Sequence, residues 1–272
     1  MVKNMSKYLT VCDLDDTLLT TKKKIRRKSI HFIKKYLQKG NYFVICTGRP
    51  FNGAISFYNM LPKGMPMITD NGGVIHYPTE NGFKTISFDT PKEIMVEFLQ
   101  QIDDSILSGC ATVGNNHYIQ NRAETPSWII HNELESNIIE GQLKDILNDN
   151  PILVNLWLKE GTIENFEKIA NRYSEYFLYR NWGFYNDRYS IEIYPKDASK
   201  GNAMEYLAKE FKVDYTCAFG DQWNDLSMIM QADYGIAMIN AVDRLKVAAK
   251  YQTEKDHNHN GVVHYLKKNK LY

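Results

Sequence analysis

The sequence predicts an α/β fold: a doubly wound parallel-sheet core, Rossmann-like, with an inserted α+β cap domain. Three observations predict it. Short apolar runs alternate with segments of helical spacing from the start of the chain, the pattern of a parallel sheet covered by helices. Acidic or hydroxyl-bearing residues stand directly after several of those runs, at the carboxyl ends of strands where open α/β sheets bind ligands. The alternation changes character near residue 90 and returns at Pro195, so residues 1–85 and 195–272 read as one core and 86–194 as an insertion.

Tyr8 to Cys12 is a short apolar run that reads as a buried strand. Ile30, Ile33, Tyr36 and Leu37 recur at helical spacing, and Gly40 reads as the stop. Tyr42 to Cys46 and Met67 to Thr69 are the next strands, the latter followed by the turn Asn71-Gly72-Gly73. Residues 74–76 and 84–88 read as a hairpin around 78–82. Thr90-Pro91-Lys92-Glu93 opens a helix, with Thr90 as cap and Pro91 at the first position. In the insertion, residues 107–121 and 152–194 supply strands, with helical patterns at about 126–149 and 162–174. After Pro195 come a helix from Lys200 to Phe211, a strand at 216–219, a short helix at 226–230, a strand from Tyr234 to Ala237 and a helix at 242–249.

Composition sets the class. The chain has 272 residues, enough for one large or two moderate domains with real cores. A formal net charge of +1 carries no nucleic-acid signal, and Lys22-Lys23-Lys24 and the lysines at 267, 268 and 270 read as solvated surface. No apolar stretch approaches the ~20 residues that span a bilayer, and no signal-peptide pattern opens the sequence. Cys12, Cys46, Cys110 and Cys217 are dispersed, without Cys-x-x-Cys spacing, and most lie in apolar runs. The expectation is a cytoplasmic protein with buried thiols, without nucleic-acid or membrane partners.

Four motifs carry chemistry. Asp13-Leu14-Asp15-Asp16-Thr17 follows the first strand. If the chain is still extended at Asp13, residues i and i+2 share a side. Two carboxylates that close need a cation or a shared proton, which points to magnesium and phosphate chemistry. The same pattern also occurs as a solvated turn with Asp16 or Thr17 capping a helix. Thr47-Gly48-Arg49 follows the second strand, where backbone N–H groups and one hydroxyl can converge on an anion and Arg49 adds a cation. Lys200 sits at a helix start, an unfavourable place for a cation against the macrodipole; a surface lysine beside the cap Ser199 is the plain alternative. Gly220-Asp221-Gln222-Trp223-Asn224-Asp225 follows a further strand, and Gly220 permits a sharp exit.

Taken together and in this order, the four motifs resemble the haloacid-dehalogenase-type phosphohydrolase superfamily. The Asn71-Gly72-Gly73 turn, Lys200-Gly201, residues 238–241 and Asn260-Gly261-Val262 resemble its Cof-type subgroup. Asp16 departs from the glycine often found there and adds a negative charge. The resemblance covers residues 1–85 and 195–272; the insertion matches the subgroup's cap in place and length only.

The resemblance implies that Asp13 is the nucleophile and Asp15 the acid and then the base. It implies Mg²⁺ held by Asp13, the Asp15 backbone carbonyl and Asp221, with Asp225 in the same set. Thr47, Gly48, Arg49, Lys200 and Asn224 would bind the phosphoryl group. Asp15 is expected protonated for the first step, while Mg²⁺ and Lys200 keep Asp13 ionised. The partner is a small phosphorylated metabolite, sugar phosphates favoured; a phosphomutase on the same core and a non-catalytic phosphate-binding regulator are the alternatives, and oligomeric state stays open. In the insertion, Ser190, Glu192 and Tyr194 alternate with Ile191 and Ile193, and Asn155 and Trp157 with Val154, Leu156 and Leu158. The polar set is expected on an open sheet face, with Asn155 and Glu192 accepting hydrogen bonds from the substrate.

Overall fold

The computed structural model of the protein describes residues 6–114, 116–126 and 137–272. They form two compact units, one of Met1–Ile86 with Ser199–Tyr272 and one of Ser87–Ala198. Before the insertion come β1 (Tyr8–Cys12), β2 (Tyr42–Cys46), β3 (Met67–Thr69), β4 (Val74–Thr79) and β5 (Gly82–Ser87). The insertion supplies β6 (Ile106–Val113), β7 (Asn116–Gln120), β8 (Asn137–Glu140), β9 (Leu153–Lys159), β10 (Phe177–Tyr185) and β11 (Arg188–Pro195). After it come β12 (Tyr215–Gly220), β13 (Tyr234–Ala237) and β14 (Tyr251–Gln252).

The first unit holds one sheet in the order β14-β13-β12-β1-β2-β3-β4-β5. Pairing is parallel from β14 to β3 and turns antiparallel between β3 and β4. From β1 the chain winds outward through β2 and β3, then resumes on the other side of β1 with β12 and moves away again. The order therefore reverses between β1 and β12, the switch point where α/β sheets open a crevice. The middle strands are buried on both faces, as their unbroken apolar runs predict; Leu9, Val11, Cys12, Val44, Cys46, Cys217, Ala218 and Phe219 are fully enclosed.

The second unit holds a six-stranded sheet in the order β10-β11-β9-β6-β7-β8, antiparallel except between β7 and β8. Helices Lys92–Ile102 and Ile163–Ala170 share a core with one face, built on Phe98, Phe166, Val154, Leu156, Leu158, Ile191 and Ile193. The alternation read from β9 and β11 is thus correct on the apolar side. On the other side Trp157 is buried beside Cys110 and Ile119, so this face is partly filled rather than open.

Two local expectations are corrected. Residues 137–149 are not helical throughout: Asn137–Glu140 is a strand parallel to β7, and only Leu143–Ile146 is helical. The β-branched pair Ile138-Ile139 pairs on a sheet edge, and the sheet outweighs the helical spacing; residues 127–136 of the same expected helix lie outside the described residues. At the Thr90 motif, Pro91 is the cap position and no side chain caps the helix locally. Asn150 supplies the acceptor instead, its Oδ1 taking the Lys92 N–H at 2.8 Å. The helix Phe51–Tyr58 had no sequence expectation.

Candidate active site

β1 and β12 lie in register, Cys12 opposite Phe219, so Asp13 and Asp221 leave adjacent parallel strands side by side. Cys12 also faces Ile45 on β2, which brings Thr47 to the same edge. Three motifs distant in sequence meet because three neighbouring strands end together.

Carboxylate oxygens of Asp13, Asp221 and Asp225 lie within 4.8 Å of one another, all three residues buried. Lys200 is fully buried and its Nζ donates to Asp13 Oδ1 and Asp225 Oδ1, each at 2.6 Å. Asp225 Oδ2 accepts from the backbone N–H of Asp221 at 2.8 Å and of Gln222 at 3.0 Å. Asp225 is therefore a brace, tying the Asp221 loop to Lys200. Gly220 is required there, since a Cβ would stand 2.4 Å from the Asp225 side chain. Thr17 donates to Asp221 Oδ1 at 3.0 Å, which fixes that carboxylate from the first motif.

Three carboxylates around one ammonium leave excess negative charge in a buried place. Burial first, then the neighbouring carboxylates against the Lys200 charge, pushes the Asp13 carboxyl upward; burial and Asp225 push Asp221 up to about 6. Lys200 is held upward by Asp13 and Asp225 against the desolvation that opposes its charge. Hard oxygen donors, convergent and short of positive charge, fit a small divalent cation such as Mg²⁺.

The first motif does not run straight on from β1. Leu14–Leu18 forms one wide turn, closed by Leu19 N–H to Leu14 O at 2.8 Å, with Asp16 at φ 51°. That left-handed conformation is the reason glycine suits position 16. The Asp16 carbonyl is held by Asn240 at 2.8 Å, and its carboxylate lies 3.4 Å from His257 Nε2.

Asp15 is separate from the carboxylate cluster. Arg49 grips it through two donors at 2.6 and 2.8 Å, and Lys23 Nζ lies 2.6 Å from Oδ1. These bonds, led by the Arg49 pair and opposed by burial, hold its carboxyl down at about 2. Asp15 is thus held toward its ionised form, while burial and neighbouring acids push Asp13 away from it. The cause is local: two cations meet Asp15, while Asp13 shares one with other acids.

Thr47 is buried, and its Oγ accepts from the Arg49 N–H at 3.2 Å, leaving the hydroxyl proton free to donate. The Asn224 amide donates to Asn71 Oδ1 at 2.9 Å.

A family model described as haloacid dehalogenase-like hydrolase matches residues 10–266. This chain belongs to the haloacid dehalogenase-like hydrolases. Among curated relatives, the 5-amino-6-(5-phospho-D-ribitylamino)uracil phosphatase YitU of Bacillus subtilis is 27% identical over 265 residues, covering 96% of each chain. A Streptococcus pyogenes protein whose name also carries the word phosphatase is 30% identical, covering 97% of this chain and 98% of its own. The X-ray crystal structure of TM0651 from Thermotoga maritima superposes with a TM-score of 0.76 at 23% identity, covering 97% of both chains; it shares the fold. The chain is thus an enzyme, a hydrolase of the phosphatase kind.

In this hydrolase the structure brings Asp13, Asp221, Asp225 and Lys200 into one cluster and places Asp15 on Arg49. Asn155 and Glu192 lie in the insertion, opposite each other on β9 and β11. Lys23, the middle of three lysines expected as solvated surface, instead pairs with Asp15. Its backbone turns left-handed, φ 51°, inside a loop closed by Thr20 N–H to Lys24 O at 3.0 Å, and that loop carries it back to Asp15. His257 meets Thr21 and Asp16, and His259 pairs with Asp256. All four cysteines are buried thiols.

Proposed function

We propose that this hydrolase is a magnesium-dependent phosphatase of small phosphorylated metabolites, acting through an aspartyl-phosphate on Asp13. The observation that carries the reading is the buried Asp13–Lys200–Asp225 chain with Asp221 beside it. A surface cap or a passive anion site has no use for three buried carboxylates.

Asp13 attacks phosphorus in line, and the P–O bond to the leaving alcohol breaks as the new one forms. The alcohol takes a proton from Asp15, which then accepts one from the water that cleaves the acyl phosphate. Arg49 and Lys23 keep Asp15 ionised, the state the second step needs. The first step requires that pair to loosen as substrate arrives, so that Asp15 carries a proton. Thr47, the Gly48 N–H, Lys200 and Asn224 receive the phosphoryl oxygens, with Arg49 at their edge. Mg²⁺, held by Asp13, Asp221 and the Asp15 carbonyl with Asp225 behind them, would supply the positive charge this cluster lacks.

EDTA should therefore abolish release of inorganic phosphate from sugar phosphates. Mg²⁺ should restore it and Ca²⁺ should not, because its longer, looser coordination spoils in-line geometry. Turnover that survives EDTA sinks the metal assignment, and a rearranged ester in place of inorganic phosphate marks a phosphomutase. Stability gives a second readout. Raised carboxyls favour the folded state most when protonated, below an unfolded pKa near 4. With EDTA, their contribution should fall as pH rises through about 6, the Asp221 value, and Mg²⁺ should remove that fall. Asp15, held at about 2, works in the opposite sense but only below about pH 4.

The relative YitU is named for a phosphate ester of a ribityl chain, and a sugar or polyol leaving group is the class proposed here. Asn155 and Glu192 are the proposed contacts to its hydroxyls, and the insertion is proposed to act as the cap. Glu192 is held at 3.3 Å by Arg180, which lies against the Trp182 ring and is therefore set in place rather than loose. Glu192→Ala should raise KM for the best sugar phosphate severalfold and leave p-nitrophenyl phosphate hydrolysis unchanged. An unaltered substrate ranking removes Glu192 from the site. The dispersed, buried thiols support a cytoplasmic location, and among the described residues no helix is long and apolar enough to cross a membrane.

A further inference from the structure

The turn after β3 has no role in the chemistry above, yet three phosphate-binding elements meet on it. Asn71 stands at φ 56°, ψ 29°, a left-handed position. Its backbone N–H donates to the Thr47 carbonyl at 3.1 Å. Its side-chain Oδ1 accepts from Asn224 at 2.9 Å. The same oxygen fills the space beside Gly48, where a Cβ would stand 2.8 Å away. The next residue, Gly72 at φ +97°, packs so closely on the start of the Lys200 helix that a Cβ would lie 2.2 Å from the Ser199 carbonyl and 2.6 Å from the Lys200 nitrogen. One two-residue turn thus touches the Thr47-Gly48 loop, the Asn224 loop and the base of Lys200.

We propose that Asn71 is a positioning residue for the phosphate site, and that its side-chain oxygen sets Asn224 and the Gly48 N–H at the spacing a phosphoryl group requires. The left-handed backbone supports this. Such a conformation is costly for most side chains, and asparagine and glycine tolerate it best. Glycine would serve the turn alone equally well, so the amide is the part that needs a reason. Asn71 makes two hydrogen bonds to anion-binding loops: the backbone N–H bond to Thr47, which glycine would keep, and the Oδ1 bond from Asn224, which only the amide supplies. Asn71 touches no carboxylate of the proposed metal set in any hydrogen bond of the described residues, so its effect should fall on phosphate and spare the metal. The inference rests on the phosphatase reading and deepens it.

Asn71→Gly tests it, because glycine keeps the left-handed backbone and removes only the amide. Inorganic phosphate is the probe. Its dissociation constant is read by calorimetry with Mg²⁺ present, and its inhibition constant is read against p-nitrophenyl phosphate. The variant should weaken phosphate about tenfold or more by both, lower kcat/KM in proportion, and leave the Mg²⁺ concentration for half-activity and the melting temperature within error of wild type. A merely structural role would shift melting and metal requirement together with phosphate.

Asn224→Ala removes the partner from the other side. The double variant Asn71→Gly/Asn224→Ala should bind phosphate about as weakly as the worse single variant, since both break one unit. Phosphate affinity in Asn71→Gly within twofold of wild type overturns the proposal, as do fully additive losses in the double variant. A wild-type chain that binds no phosphate overturns the phosphatase reading itself. A wild type that binds phosphate beside an unimpaired Asn71→Gly overturns this inference alone.

Discussion

Asp13→Asn is expected to abolish turnover, by about 10⁴-fold or more, while the fold survives. The amide keeps the volume of the carboxylate, so the β1 edge is not disturbed. It is a poor nucleophile and a poor ligand for a hard cation. The substitution also removes an ionisable acid from a buried cluster crowded with them, so the melting temperature in EDTA should equal or exceed that of wild type. Lys200 retains Asp225 at 2.6 Å as a partner. The measurement is single-turnover phosphate release, with trapping by beryllium fluoride in wild type to locate the side chain that takes the phosphoryl group. Near-normal phosphate release from Asp13→Asn would end the aspartyl-phosphate mechanism.

Lys200→Met should cost both activity and stability. Its ammonium is the cation that Asp13 and Asp225 share, and it has no exposure to water. Methionine fills the stem's volume but leaves buried carboxylates facing one another without that charge. Breaking a buried ion pair from one side costs about 3–5 kcal/mol. The loss should be greatest in EDTA at high pH, where the cluster is most ionised, and smaller with Mg²⁺, which replaces part of the missing charge. Turnover should fall about 10²–10³-fold even with saturating metal, because the transferring phosphoryl group loses a cation. Equal denaturant midpoints for Lys200→Met and wild type, with and without metal, would remove the stabilising duty, and unchanged turnover at saturating metal would remove the catalytic one.

Much of the core could be read in advance, and particular elements show why. β1, β2, β3 and β13 were legible to the residue because a doubly covered strand must be apolar throughout and a short run has no room for ambiguity. The motifs stood at their ends, and a strand's carboxyl end is where an α/β sheet displays chemistry. The insertion was harder. Its strands alternate, and alternation says which residues share a face but not what covers that face; Trp157 was read as open and is buried. Residues 137–140 carry helical spacing and form an edge strand beside β7, a choice made by a partner some twenty residues earlier in the chain.

Composition and order specified the inventory: a nucleophilic aspartate after one strand, a hydroxyl and a glycine after the next, a lysine on a helix start, and acids after a third strand. Those are properties of local pattern, fixed by the side-chain period and the chemistry of each residue. Charge state was beyond that reach. A carboxyl's proton affinity depends on what lies within a few ångströms, and those neighbours come from elsewhere. Lys200 reaches Asp13 across 187 positions and Arg49 reaches Asp15 across 34. Lys23, indistinguishable from its two flanking lysines in the sequence, is singled out by one left-handed turn. Asn71 is set apart in the same way, by three loops that close on its turn when the strands assemble. Local pattern chose the groups; long-range pairing chose their partners, and with them the direction in which each carboxyl's proton affinity is pushed.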